Sequence, residues 1–326
     1  MLNFSLLRIM AVIVSVGLLG NLPLAEGALT QERPKVGVLF GGPQGSAAIA
    51  ALVKAMGELG YQDGKTVALE FRYADGKADQ LPILAKELVA LNPRLIVGVA
   101  SDAAVAVAKE TSSIPIVSAT GDVDFVGAGL AKSLDKPGGN VTGVTISAGE
   151  AARLRVELLK RAVPGISTLL VLAHPSPNAR LLSMMEAAAT QHGVKLRTVS
   201  VAKPEDLEGA IVAAKADVQA VSSLQGPFFF FQRKLLAELC EKYQLPLAMS
   251  EPLSAEVGAL LQVNPDVAGA AAASAKYVDQ ILKGARPADL AIERHATIQV
   301  VLNMKVARAL NLNVDPAVAK GGRIID

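Results

Sequence analysis

Residues 113–147 read SIPIVSATGDVDFVGAGLAKSLDKPGGNVTGVTIS, and the fold turns on this stretch. Ile114–Ser118 is a β-branched run entered through Pro115, the composition of a strand start. Small, mostly polar residues follow at once: Ala119, Thr120, Gly121 and Asp122. Open α/β sheets bind ligands at such strand ends. Farther on, Pro137, Gly138, Gly139 and Asn140 make a dense turn signal before Val141–Ile146, a second extended run. A turn followed by a strand fits a passage from one α/β lobe into another.

Working outward, the same rhythm appears on both sides. Upstream, strands are expected at Lys35–Phe40, Val67–Arg72 and Leu95–Val99, with helices at Ser46–Leu59, Ala78–Leu91 and Asp102–Glu110 between and after them. Strand then helix, repeated, implies a parallel sheet. Downstream, helices at Glu150–Ala162, Ala179–His192, Glu205–Ala214 and Phe228–Tyr243 alternate with strands at Thr168–Leu172, Lys195–Val201, Val218–Ser222 and Leu245–Met249. After these come Gly258–Val263, a helix at Asp266–Lys283, a strand at Thr297–Asn303 and a helix at Met304–Leu310, enough to return to the first lobe. The class is therefore α/β with two parallel-sheet lobes.

Residues 1–27 stand apart. Arg8 precedes an apolar run from Ile9 to Leu19, and Ala25 and Gly27 take the −3 and −1 places of a cleavable signal peptide. The run is short for a membrane span, and the lone cysteine, Cys240, sits far from any lipidation position. A periplasmic protein that is not a lipoprotein is expected. The chain carries a net charge of +2, which gives no reason to expect nucleic acid as a partner. With 51% apolar residues it can hold two cores without disulfides.

Catalytic chemistry finds no constellation. His174, His192 and His295 lack HExxH spacing and no CxxC exists, so neither a metal nor another cofactor is expected. Gly41–Gly45 has neither the GxGxxG pattern nor the Lys-Ser/Thr pair of a nucleotide loop. Asp122 and Asp124 have no partner base.

Five separated segments carry a family resemblance: ELGYQDGKTVALEFR (58–72), IPIV (114–117), PGGNVTG (137–143), KGARPADL (283–290) and NMKVARALNL (303–312). Over about residues 34–316 the chain resembles the ABC transporter substrate-binding family that includes aromatic amino acid binding proteins. The resemblance implies a type I periplasmic binding protein: two Rossmann-like lobes, a three-segment hinge, and a small ligand enclosed between the lobes for an inner-membrane ABC permease. It implies a monomer that captures its ligand by hinge closure. A sensor that signals to a membrane receptor would use the same fold and stays open. Residues 34–143 with about 265–290 form the first expected lobe, and 144–264 with about 291–326 the second. The family's Asp-Pro-Val is replaced by Asp122, Val123 and Asp124, and Val263 stands at its usual tyrosine. The ligand is therefore left at a small carboxylate-bearing molecule, an amino acid or an aromatic or apolar acid.

Strand ends give the candidate ligand contacts. In the first lobe they are Gly42, Ser46, Ser101, Thr120 and Asp122; in the second, His174, Asn178, Ser223, Gln225, Ser250 and Glu251, with Glu251 placed to meet an amine. Phe228 joins them. It opens a four-phenylalanine run whose rings point in every direction around a helix, so at least one faces away from the core.

Overall fold

The computed structural model describes residues 33–175 and 179–326; the expected leader and Asn178 lie outside these. The first half contains β1 (Lys35–Phe40), α1 (Ala47–Glu58), β2 (Ala68–Tyr73), α2 (Leu81–Ala90), β3 (Leu95–Val99), α3 (Ser101–Glu110), β4 (Ile116–Gly121) and β5 (Val141–Ile146). Then come α4 (Ala148–Ala162), β6 (Thr168–Ala173), α5 (Ala179–Gln191), β7 (Lys195–Ser200), α6 (Asp206–Ala214), β8 (Ala220–Ser223), α7 (Pro227–Lys242), β9 (Leu247–Met249) and β10 (Leu261–Pro265). The chain continues through α8 (Val267–Leu282), β11 (Glu293–His295), β12 (Ile298–Asn303), α9 (Met304–Ala309) and β13 (Arg323–Ile325).

These strands form two sheets, ordered β11-β5-β4-β3-β1-β2 and β13-β12-β10-β9-β8-β6-β7. The first is parallel throughout, and the second is parallel except for β10 against β12. Every residue of β3 and β4 is buried, as both faces of a helix-covered parallel sheet require. Leu52 and Met56 of α1 share one core cluster with Ala271 and Tyr277 of α8, while Leu88 of α2 and Val107 of α3 belong to another. In the second lobe α4 and α5 contribute Val156, Leu159 and Met185 to the first cluster, and α6 and α7 pack Ile211, Leu236 and Cys240 into a third.

The strand order decides where a ligand could sit. From β1 the chain moves out to β2 and returns past β1 to β3; from β6 it moves out to β7 and returns past β6 to β8. Each reversal leaves a crevice beyond the strand ends. The loops after β1, β3, β6 and β8 border those crevices.

Three passages join the sheets: β5 into α4 at Ser147, β10 into α8 at Asp266, and β11 into β12 at residues 296–297. Asp266 ties the last two together. Its carboxylate caps α8 through the Gly269 amide (3.0 Å) and accepts from Gln299 Nε2 (3.1 Å), while its own amide donates to Thr297 O (2.9 Å). The expected division after 143 falls inside β5, which runs to Ile146, and the one after 290 leaves β11 with the second lobe although it pairs with β5 in the first sheet. β11 and β13 are three residues each and largely exposed, too short and polar to show strand alternation.

Gly143 lies where β4 and β5 meet, with φ +128°. A Cβ there would fall 2.1 Å from Ser118 O. Gly143→Ala combines that clash with a backbone angle side chains disfavour, and is expected to cost at least about 2 kcal/mol. Urea denaturation followed by circular dichroism measures this; an unchanged midpoint would contradict the β4–β5 geometry.

Candidate functional site

The first-lobe rim is built on a strained residue. Ala100, directly after β3, has φ 80° and ψ 158°, a region that costs a non-glycine residue about 1–3 kcal/mol. Two side chains stitch it to the next strand. The Ala100 amide donates to Thr120 Oγ1 (2.9 Å), and the Asp122 amide donates to Ser101 Oγ (2.8 Å). Each hydroxyl oxygen thus accepts a backbone N–H, which leaves its own O–H to donate. Both sit at the start of α3, whose first amides have no intrahelical acceptor. Ser46, by contrast, caps α1 by accepting from the Ile49 amide (3.3 Å), and Gly42 is buried against the Phe40 ring.

The second-lobe rim carries rings over a buried charge. Phe228 is half-buried, stands 5.6 Å from the His174 ring and meets Phe229 edge-on at 5.1 Å. Phe229 itself is core. Beneath them Glu251 and Arg155 are almost wholly buried. Glu251 accepts from Ser223 Oγ (3.0 Å), the Ser250 amide (3.1 Å), Ser250 Oγ (3.3 Å) and the Gly226 amide (3.4 Å). Arg155 Nη2 donates to Ser223 O (3.1 Å). Desolvation pushes the Glu251 carboxyl up and the nearby Arg155 charge opposes it; burial lowers Arg155 to about 10, with Glu251 opposing. The expectation that Glu251 meets a ligand amine thus falls on a group whose oxygens already have protein partners. Ser223 and Ser250 serve the same network, while Gln225 is half-buried and its side chain bonds to nothing among the described residues.

Side chains from the two lobes meet across the crevice. Asp122 Oδ1 pairs with Arg180 Nη1 at 3.1 Å, the one Arg- or Lys-to-carboxylate pair between the lobes among the described residues. The other Asp122 oxygen is buried and has no hydrogen-bond partner among the described residues. On α7, Phe231 is 44% exposed yet lies against Gly76 of the first lobe, where a Cβ would come within 2.9 Å of the ring. A cavity of about 280 Å3 lies beside the first passage, lined by Asp122, Thr145, Ser147, Glu150, Arg180 and Arg294 among others. Of the twelve candidate contacts only Asp122 lines it; ten of the others ring the strand ends, and Asn178 is outside the described residues.

Among the described residues no cluster of His, Cys, Asp and Glu could hold a metal ion, and no helix is long and apolar enough to cross a membrane. Cys240 is buried and burial pushes its thiol up, away from reactivity.

The sequence profile of ABC transporter substrate binding proteins matches residues 35–322. The chain belongs to that family. This substrate-binding protein is similar to the tyrosine-binding protein of Clostridioides difficile strain R20291, 22% identical over 87% of this chain and 82% of the relative. Among solved structures it resembles the domain crystallised with L-Trp from Streptococcus pneumoniae, at 28% identity and a TM-score of 0.82, covering 90% of this chain and 100% of that one. It also resembles a conserved domain protein from Vibrio cholerae, at 25% identity and a TM-score of 0.83, over 90% and 100% of the two chains. The family and its tyrosine-binding relative are substrate-binding proteins rather than enzymes, and the resemblance carried by the five sequence segments is shown to hold.

Sequence reasoning missed Ala100, Arg155 and Arg180. Arg155 had left a signal: it falls on the stripe of Ala151, Ala152, Val156 and Leu159, where α4 should be apolar. No sequence pattern announces the Ala100 backbone. In the substrate-binding protein Ala100→Gly relieves that strain at the cost of unfolded-chain entropy, so stability should rise by up to about 1 kcal/mol. Thermal denaturation checks it; a fall in melting temperature would show that Ala100 is not strained.

Proposed function

We propose that this protein is the extracytoplasmic solute-binding component of an ABC importer and captures a small carboxylate-bearing ligand, an α-amino acid with an apolar or aromatic side chain. The observation that carries the reading is the pair of hydroxyls, Ser101 and Thr120, whose oxygens already accept backbone N–H groups and whose protons remain to donate. With the α3 amino terminus beside them they form a surface for a carboxylate. Phe228 and His174 on the opposite lobe offer an apolar, ring-lined wall for the rest of the ligand. Tyrosine binding by the Clostridioides difficile relative and L-Trp in the Streptococcus pneumoniae domain support the same class.

Capture proceeds by hinge closure about the three passages, and the closed form is what the inner-membrane permease reads. Ligand contacts shift the population toward the closed state. Asp122–Arg180 and Phe231–Gly76 are the contacts closure makes. The protein works in the periplasm as a monomer.

A thermal-shift screen of amino acids, aromatic acids and sugars tests the ligand class. Tryptophan, tyrosine or phenylalanine should raise the melting temperature progressively with concentration, as mass action requires, and sugars should not. Stabilisation by sugars alone would refute it. Thr120→Val should weaken the best amino acid by about 1–3 kcal/mol, through the unpaired carboxylate oxygen it leaves.

Small-angle scattering tests closure. The radius of gyration should fall on saturation with the same ligand. Arg180→Ala should shift the ligand-free protein toward the open form and weaken binding by about 0.5–1 kcal/mol, a modest effect because half of the arginine is exposed. An identical radius with and without saturating ligand would remove closure from the mechanism.

A further inference from the structure

The buried pair beneath the second-lobe rim has a feature that ordinary core packing does not explain. Arg155, on α4, is 1% exposed and Glu251, two residues beyond β9, 3%, while the other buried residues of α4 and β9 are apolar. Two charges at that depth gain little stability over a well-packed apolar pair. What they do gain is direction. All four donors to Glu251 come from the two chain segments that leave β8 and β9: Ser223 and Gly226 from one, Ser250 twice from the other. Arg155 holds the Ser223 carbonyl from below, and Met185 Sδ lies 3.9 Å from the same guanidinium nitrogen.

The segment from Ser223 to Gly226 is the tether of the ring wall. Gly226 is the residue before α7 and has no side chain to cap that helix, and Pro227 and Phe228 are its first two residues. The Gly226 amide is instead fixed by Glu251. The start of α7, and with it the angle at which Phe228 meets His174 and the cleft, is therefore set by a carboxylate that does not itself reach the cleft. We propose that Arg155 and Glu251 are positioning residues: they aim Phe228, and thereby determine how strongly the site prefers an aromatic ligand over an aliphatic one of similar size. The proposal rests on the reading that Phe228 faces the ligand.

The double variant Arg155→Met/Glu251→Met removes both charges together and avoids leaving one uncompensated in the core. Hydrogen exchange on the ligand-free protein, followed by mass spectrometry, should show residues 223–230 exchanging at least tenfold faster, with β6 and α4 unchanged. Calorimetry with L-tryptophan and L-leucine as probes should show the ratio of their dissociation constants falling at least fivefold toward one. A loss of general stability would weaken both probes alike, so the ratio separates positioning from mere structural support. Glu251→Gln, which keeps the side-chain shape, should move both readouts the same way by less and serves if the double variant fails to fold. Unchanged exchange over 223–230 overturns the proposal, as does faster exchange with the ratio preserved. Should the wild-type protein bind neither amino acid, the ligand reading fails, and the exchange measurement still decides whether the pair holds this segment.

Discussion

Three passages of backbone between the sheets, two of them clasped at Asp266, fix which edges of those sheets can meet. Strands running parallel all end at one edge, so the loops after β1, β3 and β4 in one lobe face those after β6, β8 and β9 in the other. Burial enforces the arrangement. One apolar cluster includes Ile146 and Ala148 at the first passage, Val263 at the second and residues from both lobes, so the junction belongs to the core rather than to a free linker. At the crevice the hydroxyls of Ser101 and Thr120, each accepting one backbone amide, keep a proton to donate.

The two walls of that crevice solve the same problem differently. The first lobe uses backbone strain and short hydroxyl side chains: Ala100 holds an angle that alanine avoids, and Thr120 and Ser101 keep it there. The second lobe uses a buried guanidinium and carboxylate to hold two loops from behind. Both cost folding free energy at the position where a binding protein needs a fixed geometry, a pattern expected of functional sites rather than of a core optimised for stability.

Much of the fold was legible. The alternation of apolar runs with helical periodicity located every strand of the two sheets except β11 and β13, and the turn at Pro137–Asn140 marked the approach to the first passage. Short polar strands such as β11 escaped because three residues cannot display a period of two. For the proposed site, residue type and strand-end position pointed to Ser101, Thr120, Asp122 and Phe228, since those cues are local. Glu251 shows the limit of such cues. Its position at a strand end pointed to the cleft, but its carboxylate turns back onto Ser223, Ser250 and Gly226, and the Ser223 carbonyl is held in turn by Arg155 of α4, nearly a hundred residues earlier. A pairing between distant elements leaves no trace in either segment alone. The same holds for Asp122 and Arg180, one from each lobe, and for the Ala100 backbone angle, which no side chain encodes.

Cys240 gives the protein a practical property. It is the single thiol of the chain, packed among Leu236, Leu239 and Leu245 in the second-lobe core, and burial keeps it protonated. Reagents that modify cysteine require an accessible thiolate. A cysteine placed at exposed Val126, which lines the cavity beside the first passage, would therefore take a fluorophore alone, with the native residue left in place. The molecule arrives chemically silent, ready to be made into a reagentless optical sensor with one substitution and one dye.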